Sequence, residues 1–229
     1  MARERHIVAI GGGGFLADPL GDFVLGLTGR ERPKLLWVPT ASADDPWHIV
    51  RFYDEFKERA QPAHLLLFDR TVSDLRSFVL EHDVICVTGG NTANMLAVWR
   101  VHGLDAILRE AWVAGIVLCG WSAGAICWFE AGVTDSFGPR LSALNDGLGF
   151  LPGSFCPHFD AEPERRPTYH RLVAEGLLPG IAADDRVGVH FAGRHLVEAV
   201  TGRPDAQAYR VAHNGEGVVE AALPTRLLS

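Results

Sequence analysis

Short apolar runs alternate along most of the chain with stretches of helical length, and this alternation limits the fold more than any other feature. The runs cover residues 6–10, 34–39, 64–68, 84–87 and 115–119, and between several of them lie 46–59, 72–81 and 92–110. Runs that are apolar at consecutive positions indicate strands buried on both faces, and the intervening helices are what covers them. The pattern predicts βαβ units in an α/β fold, with a mainly parallel sheet sandwiched by helices. After Leu148 the pattern changes. Residues 150–159, 181–191, 195–201, 209–211 and 217–221 read as strands and only 165–176 as a helix, so a β-rich C-terminal extension of the same sheet is expected. With 229 residues, 48% of them hydrophobic, the chain can bury one sizeable core, and a single domain over 1–229 is expected.

The uncharged stretch 111–129 is long enough in principle to span a bilayer. Gly115, Gly120, Ser122 and Gly124 within it favour instead a buried strand, a tight turn and a buried helix. Gly120-Trp-Ser122-Ala-Gly124 is a Gly-x-Ser-x-Gly directly after a strand and before a helical run, the setting of a nucleophile elbow. A serine on so sharp a turn takes a strained backbone, and its neighbours must lack bulk for the turn to close. The helix it opens presents free N–H groups, which suit negative charge developing on an attacked carbonyl. The plainer alternative is a strand–turn–helix junction with glycines for packing. A serine nucleophile needs a base. Of the ten histidines, His158 in Phe155-Cys-Pro-His158-Phe-Asp160 is preferred, because it ends a strand-like run after the serine with carboxylates close by; His102, His170 and His190 stay open. Gly89-Gly90-Asn91-Thr92 also follows a strand and opens a helix. The Gly90 amide there suits a second oxyanion donor beside that of Ala123, or the segment is a simple helix start with Asn91 or Thr92 as N-cap.

Together, Gly120-Trp-Ser122-Ala-Gly124, Gly89-Gly90-Asn91-Thr92 and Pro157-His158-Phe159 resemble, in this order and spacing, the peptidase E family of serine peptidases, aspartyl dipeptidases grouped with the cyanophycinases. The motifs anchor roughly residues 80–160. The resemblance implies a flavodoxin-like or class I glutamine amidotransferase-like fold. It also implies hydrolysis of a peptide bond next to an N-terminal aspartate, through an acyl-enzyme; the expected reading is a peptidase of short peptides without cofactor or metal. Carried over by motif, Ser122 is the nucleophile, His158 the general base, the Gly90 and Ala123 amides the oxyanion hole, and Asn91 a substrate-binding residue. The family's late glutamate has no acidic counterpart in Val187-Gly-Val-His190-Phe-Ala-Gly193. The acid that fixes the histidine tautomer is therefore sought at Asp160, two residues past His158, with Asp135 as a site-lining acid and Glu130 as a third choice. Arg166, or Arg165, opens the helix after the histidine and suits a substrate carboxylate; a plain surface charge is the alternative.

A net charge of −7 argues against a general nucleic-acid or anionic-membrane binder. The N-terminal residues have neither the apolar length nor the cleavage site of a signal peptide, so a cytoplasmic setting is expected, as a monomer or homodimer. Cys86, Cys119, Cys127 and Cys156 lack metal-like spacing and read as core thiols. The main rival is a dinucleotide-binding protein using Gly11–Gly14, where Gly12-x-Gly14-x-x-Ala17 follows the first strand. Asp18-Pro-Leu-Gly-Asp22 interrupts the helix that should receive the pyrophosphate. An amidotransferase-like thiol at Cys119 or Cys127, and a non-catalytic binding module on the same fold, are further rivals.

Overall fold

In the computed structural model, which describes residues 4–13 and 19–229, the apolar runs of the first half lie in or directly beside strands. β1 (His6–Ile10), β2 (Lys34–Val38), β3 (Gln61–His64), β4 (Val84–Val87) and β5 (Val117–Trp121) pair in parallel in the order β1-β5-β4-β2-β3. The connecting helices are α1 (Pro19–Gly26), α2 (Pro46–Phe56), α3 (Leu75–Leu80), α4 (Thr92–His102) and α5 (Leu104–Val113), and the short α6 (Ala123–Ile126) follows β5. Successive strand residues point to opposite faces, and both faces are covered. Val8, Ile10, Leu35 and Trp37 pack with Val24, Phe52 and Phe56 of α1 and α2. Ile7, Ala9, Leu36 and Val38 pack with Met95, Trp99 and Leu108 of α4 and α5. At about 1.5–3 kcal/mol for each fully buried large apolar side chain, this two-sided burial commits the runs to the sheet.

The second half supplies β6 (Phe129–Thr134), β7 (Ser142–Leu144), β8 (Leu151–Cys156), the helix α7 (Arg165–Ala174), β9 (Gly180–Ala183), β10 (Val187–Ala192), β11 (His195–Thr201), β12 (Ala208–His213), β13 (Val218–Leu223) and β14 (Thr225–Leu227). β10 runs antiparallel to β1 and, with β11 and β14, completes an eight-stranded sheet in the order β14-β11-β10-β1-β5-β4-β2-β3. The other strands form a second sheet, β13-β12-β9-β8-β6-β7. The β-rich extension is thus divided between two sheets and does not all join the first. Phe129, Phe155 and Ile181 pack with Val189 and Phe191 of the first sheet, while Val133, Cys156 and Ala182 pack with Tyr169 and Val173 of α7. Strands apolar on both faces need two covers, and a second layer provides them.

Two polar contacts and one glycine move three expected boundaries. β3 ends at His64 because the Asp44 carboxylate accepts the Leu67 and Phe68 N–H groups at 2.9 and 3.1 Å and draws the chain into a loop. α3 starts only at Leu75, where Asp74 caps it by accepting the Ser77 N–H at 3.0 Å. The long helix expected over 92–110 breaks at Gly103, which takes the left-handed conformation at φ 68°. All four cysteines are buried and unpaired. Among the described residues no helix is long and apolar enough to cross a membrane.

Candidate active site

β1 and β5 are neighbours, with Ile10 opposite Trp121, so both leave the sheet at one edge. Ser122 follows at φ 52° and ψ −115°, a conformation that costs a non-glycine residue on the order of 1–3 kcal/mol. Backbone contacts hold it there. The Ser122 N–H donates to the Ile10 carbonyl at 3.0 Å, and the Ser122 carbonyl accepts the Ala125 and Ile126 N–H groups at 2.9 Å. The turn also seats against the end of β4. A Cβ on Gly124 would stand 2.3 Å from the Val87 carbonyl oxygen, which leaves no room for any other residue. α6 spans only four residues, so the useful donors are individual N–H groups more than a helix dipole. The Gly89-Gly90 turn abuts the serine, for a Cβ on Gly89 would lie 3.3 Å from Ser122 Cβ. Neither the Gly90 nor the Ala123 N–H meets an acceptor among the described residues.

His158 comes to the same edge from β8. Its N–H donates to the Gly11 carbonyl at 3.1 Å, so the end of β1 anchors the backbones of both Ser122 and His158. Like Ser122, it has a positive φ, 53°. Its Nδ1 lies 2.7 Å from Asp185 Oδ1, and both side chains are about one-fifth exposed, 20% and 23%. An ionised carboxylate can only accept, so Nδ1 carries the proton and Nε2 is left as the acceptor. Gly12 packs on this pair: a Cβ there would stand 2.2 Å from His158 Cε1 and 2.3 Å from Asp185 Oδ1. Gly12→Ala is therefore expected to lower turnover by about 10²-fold through misplacement of the imidazole and to cost about 1–3 kcal/mol of stability by overpacking. Steady-state kinetics and thermal unfolding check the two effects separately.

A serine on a strained strand-to-helix turn and, anchored at the same strand end, an imidazole whose Nδ1 meets a carboxylate are the groups that acyl transfer uses. The model of peptidase family S51 matches residues 7–199. The chain belongs to peptidase family S51. Uncharacterized peptidase YgaJ of Bacillus subtilis is 50% identical, over 98% of this chain and 99% of its own. Peptidase E of Haemophilus influenzae is 30% identical, over 48% of this chain and 54% of its own. The crystal structure of a peptidase from an acI-B1 Actinobacterium shares the fold with a TM-score of 0.72 at 17% identity, covering 98% of this chain and 96% of that one. Membership of family S51 makes this chain a peptidase.

Several site expectations change in the S51 chain. The carboxylate on His158 is Asp185 and not Asp160, because Asp160 turns away to accept the Asp185 N–H at 2.8 Å and to pair with Arg203. Asp185 stands in the β9–β10 turn, two residues ahead of the stretch searched for an acid; its signal was the polar Asp184-Asp185-Arg186 turn between two apolar strands. Asp135 is exposed on the loop after β6, at the rim and not on the histidine; that loop docks on α4 through Ser136, whose carbonyl accepts the Asn91 amide at 3.1 Å and whose Oγ accepts the Ala93 N–H at 3.2 Å. Asn91 is thus occupied as the N-cap of α4, accepting the Asn94 N–H at 2.8 Å, and as this clamp, which leaves its side chain little for substrate. Glu130 accepts the Gly153 N–H at 2.8 Å and does not face His158.

Arg165 is buried, bonded to Glu162 at 2.6 Å and to the Val133 carbonyl at 2.9 Å, and so is structural. Arg166 stacks on Phe159 and Tyr209 at 4.6 and 4.9 Å, with Nε 3.4 Å from Glu220. His170 pairs with Glu220 at 2.8 Å and His190 with His6 at 3.0 Å. Burial pushes the Cys127 thiol well above its ordinary range, against its use as a nucleophile. The Gly11 N–H donates to the Val187 carbonyl at 2.9 Å and the Gly12 carbonyl accepts the Arg186 N–H at 3.0 Å, so these glycines bind the chain's own turns. Gly14 and Ala17 of the dinucleotide fingerprint lie outside the described residues.

Proposed function

We propose that this S51 peptidase is a serine peptidase of short peptides, acting through an acyl-enzyme on Ser122, with His158 as general base and Asp185 as the acid that orients it. The observation that carries the reading is the 2.7 Å contact of His158 Nδ1 with Asp185 Oδ1, on a histidine anchored, like the strained Ser122, to the end of β1. With Nδ1 protonated, Nε2 accepts the proton of Ser122 Oγ as Oγ bonds to the scissile carbonyl carbon. The carbonyl oxygen becomes an oxyanion between the Gly90 and Ala123 N–H groups. As the C–N bond breaks, the imidazolium returns its proton to the leaving amine. Water, deprotonated by the same Nε2, then releases the acid and regenerates Ser122. The Asp185 carboxylate holds the ring and stabilises the imidazolium.

The preference implied by the resemblance, an N-terminal aspartate, finds its support in Arg166. The guanidinium rests on the ring of Phe159, the residue after His158, and Glu220 stands at its Nε edge. A guanidinium has five N–H donors, so terminal donors remain for a substrate carboxylate. The test is a dipeptide library with Asp-Xaa members, other N-terminal residues and blocked N-termini. It is run with and without a chelator, alongside mass-spectrometric mapping of the adduct formed by a fluorophosphonate. Expected are chelator-indifferent cleavage of Asp-Xaa above the rest and an adduct on Ser122. Hydrolysis without a Ser122 adduct overturns the mechanism, and equal cleavage of Ala-Xaa overturns the preference alone.

A further inference from the structure

Building on the serine-peptidase reading, we infer that Asp160 and Arg203 form a positioning device that holds the Asp185 turn against His158, so that Asp160 serves the reaction without touching substrate or imidazole. The turn between β9 and β10 is not one the chain adopts from local preference, since Arg186 within it has φ 66°. Its backbone is fixed from outside and within. The Asp184 N–H donates to the Gln207 carbonyl at 3.0 Å, the Arg186 N–H to the Gly12 carbonyl at 3.0 Å, and the Val187 N–H to the Asp184 carbonyl at 3.2 Å. The Asp185 N–H alone in this turn is taken by a side chain, Asp160 Oδ1 at 2.8 Å. Asp160 Oδ2 in turn accepts from the Arg203 guanidinium. Arg203 is itself tied to the turn: its N–H donates to Thr201 Oγ1 at 3.0 Å, and Thr201 Oγ1 donates to the Arg186 carbonyl at 2.8 Å.

These contacts close on the general base. Asp160 lies two residues past His158, and the Glu162 N–H donates to the His158 carbonyl at 3.2 Å. The base and the anchor of its acid therefore ride on one turn and move together. Charge agrees with the geometry. Asp160, Asp184 and Asp185 crowd around the β9–β10 turn, and Arg203 offsets them. Burial pushes the Asp160 carboxyl up, but the Arg203 guanidinium and the Asp185 N–H more than reverse this and hold it below the usual carboxylate range. Asp184 is pushed up by its burial. Asp160 thus remains an ionised, full-strength acceptor at neutral pH, and charge-assisted bonds of this kind are about twice as strong as neutral ones.

The test compares Asp160→Ala, Asp160→Asn and Arg203→Met with wild type, reading kcat, KM, the rate of Ser122 phosphonylation by a fluorophosphonate, and thermal unfolding. Asp160→Ala removes the acceptor and is expected to lower kcat and the labelling rate by about 10²-fold, the scale on which misplacement by about 1 Å acts, with KM within about threefold. Asp160→Asn keeps an oxygen acceptor for the Asp185 N–H and is expected to recover most of that loss, to within about fivefold of wild type. Arg203→Met leaves the His158, Asp160 and Asp185 side chains intact and is expected to fall between them, at about tenfold. If Asp160→Ala does not fold, the Asp160→Asn and Arg203→Met pair decides in that order of rates. Equal losses in Asp160→Ala and Asp160→Asn, or wild-type labelling rates in all the folded variants, overturn the positioning role. Failure of wild type to label at Ser122 overturns instead the serine reading on which it rests.

Discussion

Ser122→Ala is expected to lower kcat by about 10⁶-fold, the scale seen when the nucleophile of a serine peptidase is removed. In the proposed mechanism Oγ is the atom that bonds to the scissile carbon, and without it His158 Nε2 has no nucleophile to deprotonate. Residual turnover above the uncatalysed rate, on the order of 10³–10⁴-fold, is expected from substrate held at the Gly90 and Ala123 N–H groups. The substitution should not disturb the fold, since the backbone contacts of Ser122 to Ile10, Ala125 and Ile126 do not involve its side chain. An alanine at φ 52° and ψ −115° carries the same strain as the serine. The check is progress curves on the best dipeptide over days, with thermal unfolding as the fold control. A residual rate above about 1% of wild type, with an unchanged KM, would show that another group attacks the peptide.

The strand–turn–helix junction at Ser122 was legible because its signal is local. Gly120, Ser122 and Gly124 lie on one turn, and the strand before them is apolar at every position, so sequence alone places the serine at a sheet edge. The acid was not legible for the opposite reason. Asp185 reaches His158 across 27 residues, and nothing in spacing distinguishes it from Asp160, which is nearer in sequence but turned toward Arg203. The first glycine run was misleading in a similar way. Gly11 and Gly12 have the close backbone approach that suggests a phosphate loop, yet what approaches is the chain itself, with His158 and Asp185 against Gly12.

For the fold, the period of the apolar residues sufficed wherever burial decides, as in β1, β2, β4 and β5. It was insufficient where pairing decides, as in the C-terminal strands. β9 and β10 are both apolar runs separated by a short turn, yet they enter different sheets. A hydrophobic pattern states that a face is covered and not by which partner. That division matters to the site, because the turn at which the chain passes from one sheet to the other is the turn that carries Asp185.

Asp185→Asn is expected to lower kcat by about 10⁴-fold, close to 5.5 kcal/mol of transition-state stabilisation. The exchange is nearly isosteric, and Gly12 leaves the space around Oδ1 unchanged, so the loss reports chemistry more than packing. A carboxylate can only accept from Nδ1, and this keeps Nε2 free to take the Ser122 proton. An amide can instead donate to Nδ1, which moves the ring proton to Nε2 and removes the base. The amide also lacks the charge that stabilises the imidazolium formed as Ser122 attacks. Binding should be spared, with KM within about threefold of wild type, because in the proposed mechanism Asp185 acts through His158 and not on substrate. Asp185→Ala, which can neither accept nor donate, separates the two contributions. If both variants lose equally, the missing charge accounts for the defect; if Asp185→Asn is the worse, the wrong tautomer adds to it. Wild-type kcat in Asp185→Asn would show that Asp185 is not the acid that orients His158.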